Sequence, residues 1–230
     1  LGTGEFTIDT WVKLNGQLDN PVLPGPQALV AHDDGGGSQN KWIFWFNNQQ
    51  LQLHYNDSGG NTTYIGVPFV PDYETWYHVA VTRSGSVYKF YVNGAQIGED
   101  QINQTAVPAS SAPLTIGKAE EIPSIYGQID EVELFQRALG STEIASIFNA
   151  GSAGKCKPVQ SCIPPPPDLL TWWPGDGNAN DIQGATFENG VTFNGVSYAA
   201  GKVDQAFNFD GIDAYVRADN TQNVDGGNQA

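Results

Sequence analysis

The sequence predicts an all-β chain, a two-sheet antiparallel sandwich with one short helix. Segments rich in Val, Ile, Thr, Tyr, Phe and Trp recur every eight to twelve residues or so, with turn residues between them. The 27 Gly and 14 Pro among 230 residues interrupt helices and supply turns. Trp, Tyr and Phe make up 11% of the chain, enough for the aromatic core that pleated sheets bury.

Phe6–Leu14 (FTIDTWVKL) alternates, with Phe6, Ile8 and Thr10 on one side and Thr7, Asp9 and Trp11 on the other. Further strands are predicted at Ala28–His32, Lys41–Phe46, Leu51–Tyr55 and Thr63–Val67. WYHVAVT (76–82) and VYKFYV (87–92) flank Arg83–Ser86 and read as a hairpin. Asn93-Gly94 is a tight-turn signal leading into Ala95–Ile97. Leu114–Gly117 and QIDEVELF (128–135) precede the one helix, Ser141–Ala150, with Ser141 as N-cap, Ile144, Ile147 and Phe148 on one apolar side, and Gly151 as its stop. Beyond Pro164–Pro167, a stiff extended spacer, come strands at Leu169–Trp173, Val191–Phe193, Ala206–Phe209 and Ala214–Arg217.

The organisation is rotated. Residues 1–155 form the larger part of a sandwich but lack opening strands. Residues 156–167 are a Cys/Pro linker. Residues 168–230 supply opening strands that are too few to bury a core alone. Writing YVRADNTQNVDGGNQA before LGTGEFTIDTWVKL gives one uninterrupted strand–loop–strand stretch. Residues 168–230 therefore complete the same sandwich, as in a circular permutant, or a neighbouring one, as in a tandem repeat.

The formal charge is −15, with only 10 Lys and Arg. Nucleic acid is not an expected partner, because phosphate recognition needs clustered cations. No run of about 18 apolar residues is present, so no membrane insertion is expected. The chain has no initiator Met and no signal peptide and reads as a mature or excised segment. Cys156 and Cys162 are spaced to close a small disulfide loop, which implies an oxidising compartment. The expected location is secreted or cell surface.

FTIDTWVKL, WYHVAVTR–VYKFYVNG, LTIG, GQIDEVELFQRALGSTEIASIFNAG, LLTWWPGDGNANDIQG and GKVDQAFNFDGIDAYV together resemble a laminin-G-like, concanavalin A-like jelly-roll domain, in rotated order. The resemblance covers most of the chain. It implies two antiparallel sheets, often a structural calcium and often glycan binding. In the resembled fold the first and last strands lie side by side, so Asp130 and the Asp176–Asp181 loop would share one calcium, with Asp210 a further candidate; hard cations take six to eight oxygens. The competing reading for Asp176, Asp181 and Asp210 is turn chemistry. Asp130 inside an apolar strand needs a partner. Glu131 and Glu133 read as solvated.

Glycan platforms are expected among Trp42, Trp45, Tyr55, Tyr64 and Tyr73, with Asn47, Asn48, Asn56 and Asp57 near them in sequence. The alternative is core, because Trp42, Phe44 and Phe46 alternate with Ile43 and Trp45 and both faces are apolar. Asp33–Ser38 is a binding rim or a hairpin tip. Asn56, Asn61 and Asn103 fit the glycosylation acceptor pattern. Catalysis is not expected: the Glu-x-Asp-x-(x)-Glu glucanase pattern, nucleophile motifs and phosphate loops are all missing. The leading expectation is a non-catalytic extracellular carbohydrate-binding or adhesion module with a structural calcium, its partner a glycan or cell-surface polysaccharide. The alternative is a structural subunit of an extracellular fibre, assembled with copies of itself by strand exchange between repeats.

Overall fold

A computed structural model of the chain describes residues 1–2, 4–16, 25–33, 39–119, 121–155, 162–183 and 188–219. Ten strands precede the helix: β1 (Phe6–Leu14), β2 (Gln27–His32), β3 (Lys41–Asn47), β4 (Gln50–Asn56), β5 (Thr62–Pro68), β6 (Trp76–Ser84), β7 (Val87–Val92), β8 (Ala95–Ile102), β9 (Leu114–Ile116) and β10 (Tyr126–Phe135). Helix α1 (Ser141–Ala150) and a 3₁₀ turn at Gly151–Ala153 follow. The last part carries β11 (Leu169–Trp173), β12 (Val191–Phe193), β13 (Ser197–Ala200), β14 (Gln205–Asp210) and β15 (Tyr215–Ala218).

These strands form two antiparallel sheets. Sheet A runs β13-β14-β10-β1-β6-β7-β8, and sheet B runs β12-β15-β9-β2-β3-β4-β5. Within this one chain the last part joins both. β11 pairs with the Val132–Phe135 end of β10, and β14 with its Tyr126–Ile129 end. The two therefore lie end to end along one edge of β10. In sheet B, β15 pairs with β9, and β12 closes the edge on β15.

The core lies between the sheets. Phe6, Ile8, Val12 and Leu14 of β1 meet Trp42, Phe44 and Phe46 of β3, with Leu134 of β10, Trp173 of β11, and Phe207 and Phe209 of β14 in the same cluster. Burying each large apolar side chain contributes about 1.5–3 kcal/mol. The aromatic segments on either side of the proline spacer thus stabilise one shared interior.

Local chemistry explains most of the element ends. Asn93 and Gly94 both take positive φ, 50° and 79°, as a primed two-residue turn demands. The N-cap of α1 is Gly140, not Ser141; the Gly140 amide donates to Glu143 Oε2 at 2.9 Å. Arg137 grips the same carboxylate at 2.6 and 2.8 Å and holds it below the usual carboxylate range. Gly151 ends the helix with φ 55°. β13, which the sequence pattern did not predict, forms the outer edge of sheet A. Its SYAA sequence has no apolar alternation, because the strand is largely exposed.

Candidate functional site

The outer faces of the two sheets hold the polar chemistry of the molecule. On sheet A, Asp9 of β1 pairs directly with Glu133 of β10. Glu131 sits two residues earlier, at a kink where it takes φ 52° and the β1–β10 register shifts. Lys155, just after the 3₁₀ turn, reaches down onto this face. Its Nζ is 2.9 Å from Glu133 Oε2 and 3.7 Å from Glu131 Oε2. The Trp172 indole N–H of β11 donates to Glu131 Oε2 at 3.0 Å, and the Lys155 ammonium lies 5.4 Å from the centre of that ring. His78 Nε2 is 3.3 Å from Asp9 Oδ2.

All five ionisable groups are buried, with side-chain exposures of 2% or less. Helix α1 covers part of this face, where Phe148 stacks on Trp11 at 5.6 Å. Burial pushes the Glu133 carboxyl well above its usual range; Asp9 and Glu131 add to the effect and Lys155 opposes it. Burial alone would lower the Lys155 ammonium, but Glu133, Glu131 and Asp9 outweigh it and raise it. Glu131 and Glu133 are therefore not the solvated residues the sequence reading made them. Sequence alternation put them on a sheet face; the groups that bury them there, Lys155 and the Trp172 side chain, come from later in the chain.

The outer face of sheet B is open at its β9–β15–β12 end. There, a cleft of about 180 Å³ is lined by Asp33, Thr115, Lys118, Tyr215 and Arg217, with Pro113 and Ala119. Register builds it: Arg217 opposes Thr115, Thr115 opposes Ala31, and Tyr215 opposes Phe193. The Phe193 and Tyr215 rings stack at 4.9 Å and 8°, and both are half-buried. The Arg217 guanidinium lies 6.0 Å from the centre of the Phe193 ring and pairs with Asp219. Lys118 Nζ donates to Ile122 O at 2.6 Å, and Thr115 Oγ1 donates to Lys118 O at 2.7 Å. Lys41 Nζ lies 3.5 Å from Asp33 Oδ2. The cleft thus offers an aromatic surface and two cations within one concavity, while the Asp33 carboxylate in its lining is buried beside Lys41. None of Tyr215, Arg217, Lys118 or Thr115 was singled out from the sequence. Arg217 and Thr115 become neighbours only through the β9–β15 pairing, and no local spacing announces that.

The expected aromatic platforms divide. Trp42 and Tyr55 are fully buried in the core, and the Tyr55 hydroxyl is tied to Thr105 O at 3.1 Å. Trp45 is buried on the outer face of sheet B beneath Ala119 and Ile122. These three have no face to offer a ligand, because each is buried, Trp42 and Tyr55 between the sheets and Trp45 on the outer face. Tyr64 is 57% exposed and caps a stack in which His54 lies 4.6 Å from it and 5.3 Å from Trp45. Tyr73 packs half-buried against the core. Of the rim residues, Asp33 lines the cleft and residues 34–38 lie outside the described residues.

The four expected calcium ligands each accept backbone amides. Asp130 Oδ2 accepts the Lys202 and Val203 amides, each at 2.8 Å, and a side chain at Gly201 would meet this oxygen at 2.6 Å. Asp176 Oδ1 accepts the Gln205 amide at 3.1 Å. These two therefore hold neighbouring parts of one loop. Asp181 instead accepts the Trp172 and Gln183 amides, and Asp210 ties its own turn through the Ile212, Asp213 and Ala214 amides and the Ser124 hydroxyl. Among the described residues no group of three or more His, Cys, Asp or Glu is arranged to hold a metal. Cys156 lies outside the described residues, so the expected Cys156–Cys162 disulfide carries no structural account. Among the described residues no helix is long and apolar enough to cross a membrane.

The family model Laminin_G_3, described as the concanavalin A-like lectin/glucanases superfamily, matches residues 1–145. The chain belongs to this superfamily. Solved structures similar to this member include the binding domain of botulinum neurotoxin serotype G, at 16% identity and a TM-score of 0.49 over 64% of this chain. The chain spans 36% of the length of that toxin chain. A native heptameric SAP-like pentraxin from Limulus polyphemus is similar at 16% identity and a TM-score of 0.47, covering 74% of this chain and 80% of its own. Domain 4 of AbnA, an extracellular arabinanase from Geobacillus stearothermophilus, solved with arabinotriose, is similar at 18% identity and a TM-score of 0.46, covering 63% and 66%.

Proposed function

We propose that the chain is a non-catalytic extracellular carbohydrate-binding or adhesion module and that it seats a glycan in the cleft on the outer face of sheet B. The observation that carries this reading is the meeting of Tyr215, Arg217 and Lys118 in one open concavity. Sugars present weakly polar C–H faces ringed by hydroxyls. A partly exposed aromatic surface takes the former, while charged and amide groups fix the orientation of the latter. Membership of a superfamily described by lectins and glucanases supports the same class.

The non-catalytic part of the proposal rests on where the acids lie. Glycoside hydrolysis needs two carboxylates flanking an accessible bond. Asp9, Glu131 and Glu133 are grouped but sealed on the other sheet. Incubation with polysaccharides is expected to release no reducing ends.

Binding is tested by a glycan array followed by calorimetry on the strongest hit. Tyr215→Ala and Arg217→Ala are expected to weaken it about tenfold or more, about 1.4 kcal/mol each. Uniform background across the array would end the proposal. Calcium is carried forward as a separate proposal. Its supporting donors are Asp130 and Asp176, which hold the same loop, and a rise in Tm on adding Ca²⁺ is the expected sign. An extracellular setting predicts the Cys156–Cys162 disulfide, read as two thiols that alkylate only after reduction.

A further inference from the structure

We propose that Lys155 and Glu133 condense into an intramolecular amide bond, with Glu131 moving the proton. Three features of the sealed face of sheet A support the chemistry. The nucleophile stands beside the carboxyl it would attack: Lys155 Nζ lies 2.9 Å from Glu133 Oε2, one bond away from the electrophilic carbon. A second carboxylate, Glu131, stands 3.7 Å from the same nitrogen and is fixed in place by the Trp172 indole N–H. Water is kept out, since all three side chains are 2% exposed or less. Asp9 and His78 also lie on this face and pair with each other; Asp9 acts on Glu133 and Lys155 through its charge and raises both.

The protonation states suit the reaction. Burial favours the neutral acid form of Glu133, which is the form amines attack. Lys155 starts as an ammonium. Glu131 takes one proton from it, and the freed amine adds to the Glu133 carboxyl carbon. The C–O bond to the hydroxyl then breaks, the hydroxyl takes the second proton from nitrogen, and one water leaves. An ammonium and a carboxylate become an amide, a neutral Glu131 and water, so atoms and charge balance. In bulk water such condensation is opposed by the solvation of the ions. Here that solvation is already lost, and removing two buried charges is itself favourable.

The bond would tie the middle of sheet A to the chain just beyond α1, where it leaves for the proline spacer. A module pulled through its linker would then be held by covalent geometry at that exit.

Intact mass spectrometry of the reduced full chain tests this. The expected mass is one water, about 18 Da, below that of the sequence, and trypsin is expected to fail after Lys155 and to yield one branched peptide joining the two segments. Lys155→Arg keeps the charge and is expected at full mass. Glu133→Gln is expected to lose ammonia instead, about 17 Da. Glu131→Gln is expected to leave most of the protein unreacted. A wild-type chain at full sequence mass, with the two segments recovered as separate peptides, overturns the proposal. Equal water loss in Lys155→Arg overturns it as well.

Discussion

On sheet A, Asp9, His78, Glu131, Glu133 and Lys155 are buried beneath α1 and beside the Trp172 ring, while on sheet B, Tyr215, Phe193 and Arg217 stay half-exposed beside an open cleft. Both faces are made of strands with polar residues at alternate positions. What separates them is what the chain lays over each. Sheet A receives the helix, the 3₁₀ turn and Lys155. Sheet B receives Ala119 and Ile122, which pack on Trp45. Charge therefore works structurally on one face, by holding cover to sheet, and stays available for recognition on the other.

The largest expected effect that could break this contrast is at Lys155. Lys155→Ala removes the tie, ionic or covalent, between the chain after α1 and Glu131 and Glu133 and is expected to cost about 3–5 kcal/mol, measured by urea unfolding. A loss under about 1 kcal/mol would mean that Lys155 does not hold the cover to the sheet. Next is Asp130→Ala. It strands the Lys202 and Val203 amides at roughly 1–3 kcal/mol, and exchange at those two amides is expected to quicken first.

A third effect sharpens the comparison through pH. Burial pushes the core imidazole of His32 from 6.5 down to about 3. The unfolded chain therefore binds a proton below pH 6.5 that the folded chain refuses. The contribution is full above pH 6.5 and is lost as pH falls toward 3, at up to about 1.4 kcal/mol per pH unit. His32→Gln is expected to flatten that limb of the stability curve. The smallest stability effect is expected at the cleft. Arg217→Ala should move stability within about 0.5 kcal/mol while weakening glycan binding, and a large loss of stability there would make Arg217 a structural residue.

Strand identity was readable wherever apolar alternation or a turn pair marked it. FTIDTWVKL, VYKFYV, LLTWW and STEIASIFNA occupy the ranges their patterns predict, and Asn93-Gly94 turns as that pair demands. Readability failed at exposed edges. β8 runs to Ile102, well past the predicted Ile97, and β13 was missed, because neither strand buries an alternating face. It failed again where partners are distant. Glu133 reads as a surface residue until Lys155 covers it, and Thr115 and Arg217 have no visible relation until β9 meets β15. The sequence placed Asp130 in a strand that requires a partner, correctly, but the partner is a pair of backbone amides.

β10 and β9 each expose one edge until residues beyond the proline spacer arrive to pair with them. A ribosome emits the strands before the spacer ahead of those after it, so both half-built sheets must wait, their apolar interiors uncovered, until β11–β15 follow. Such late, long-range closure is slow and prone to aggregation. The same topology makes the spacer a natural place to nick: cleaved there, the two fragments are expected to co-purify and to refold only when mixed.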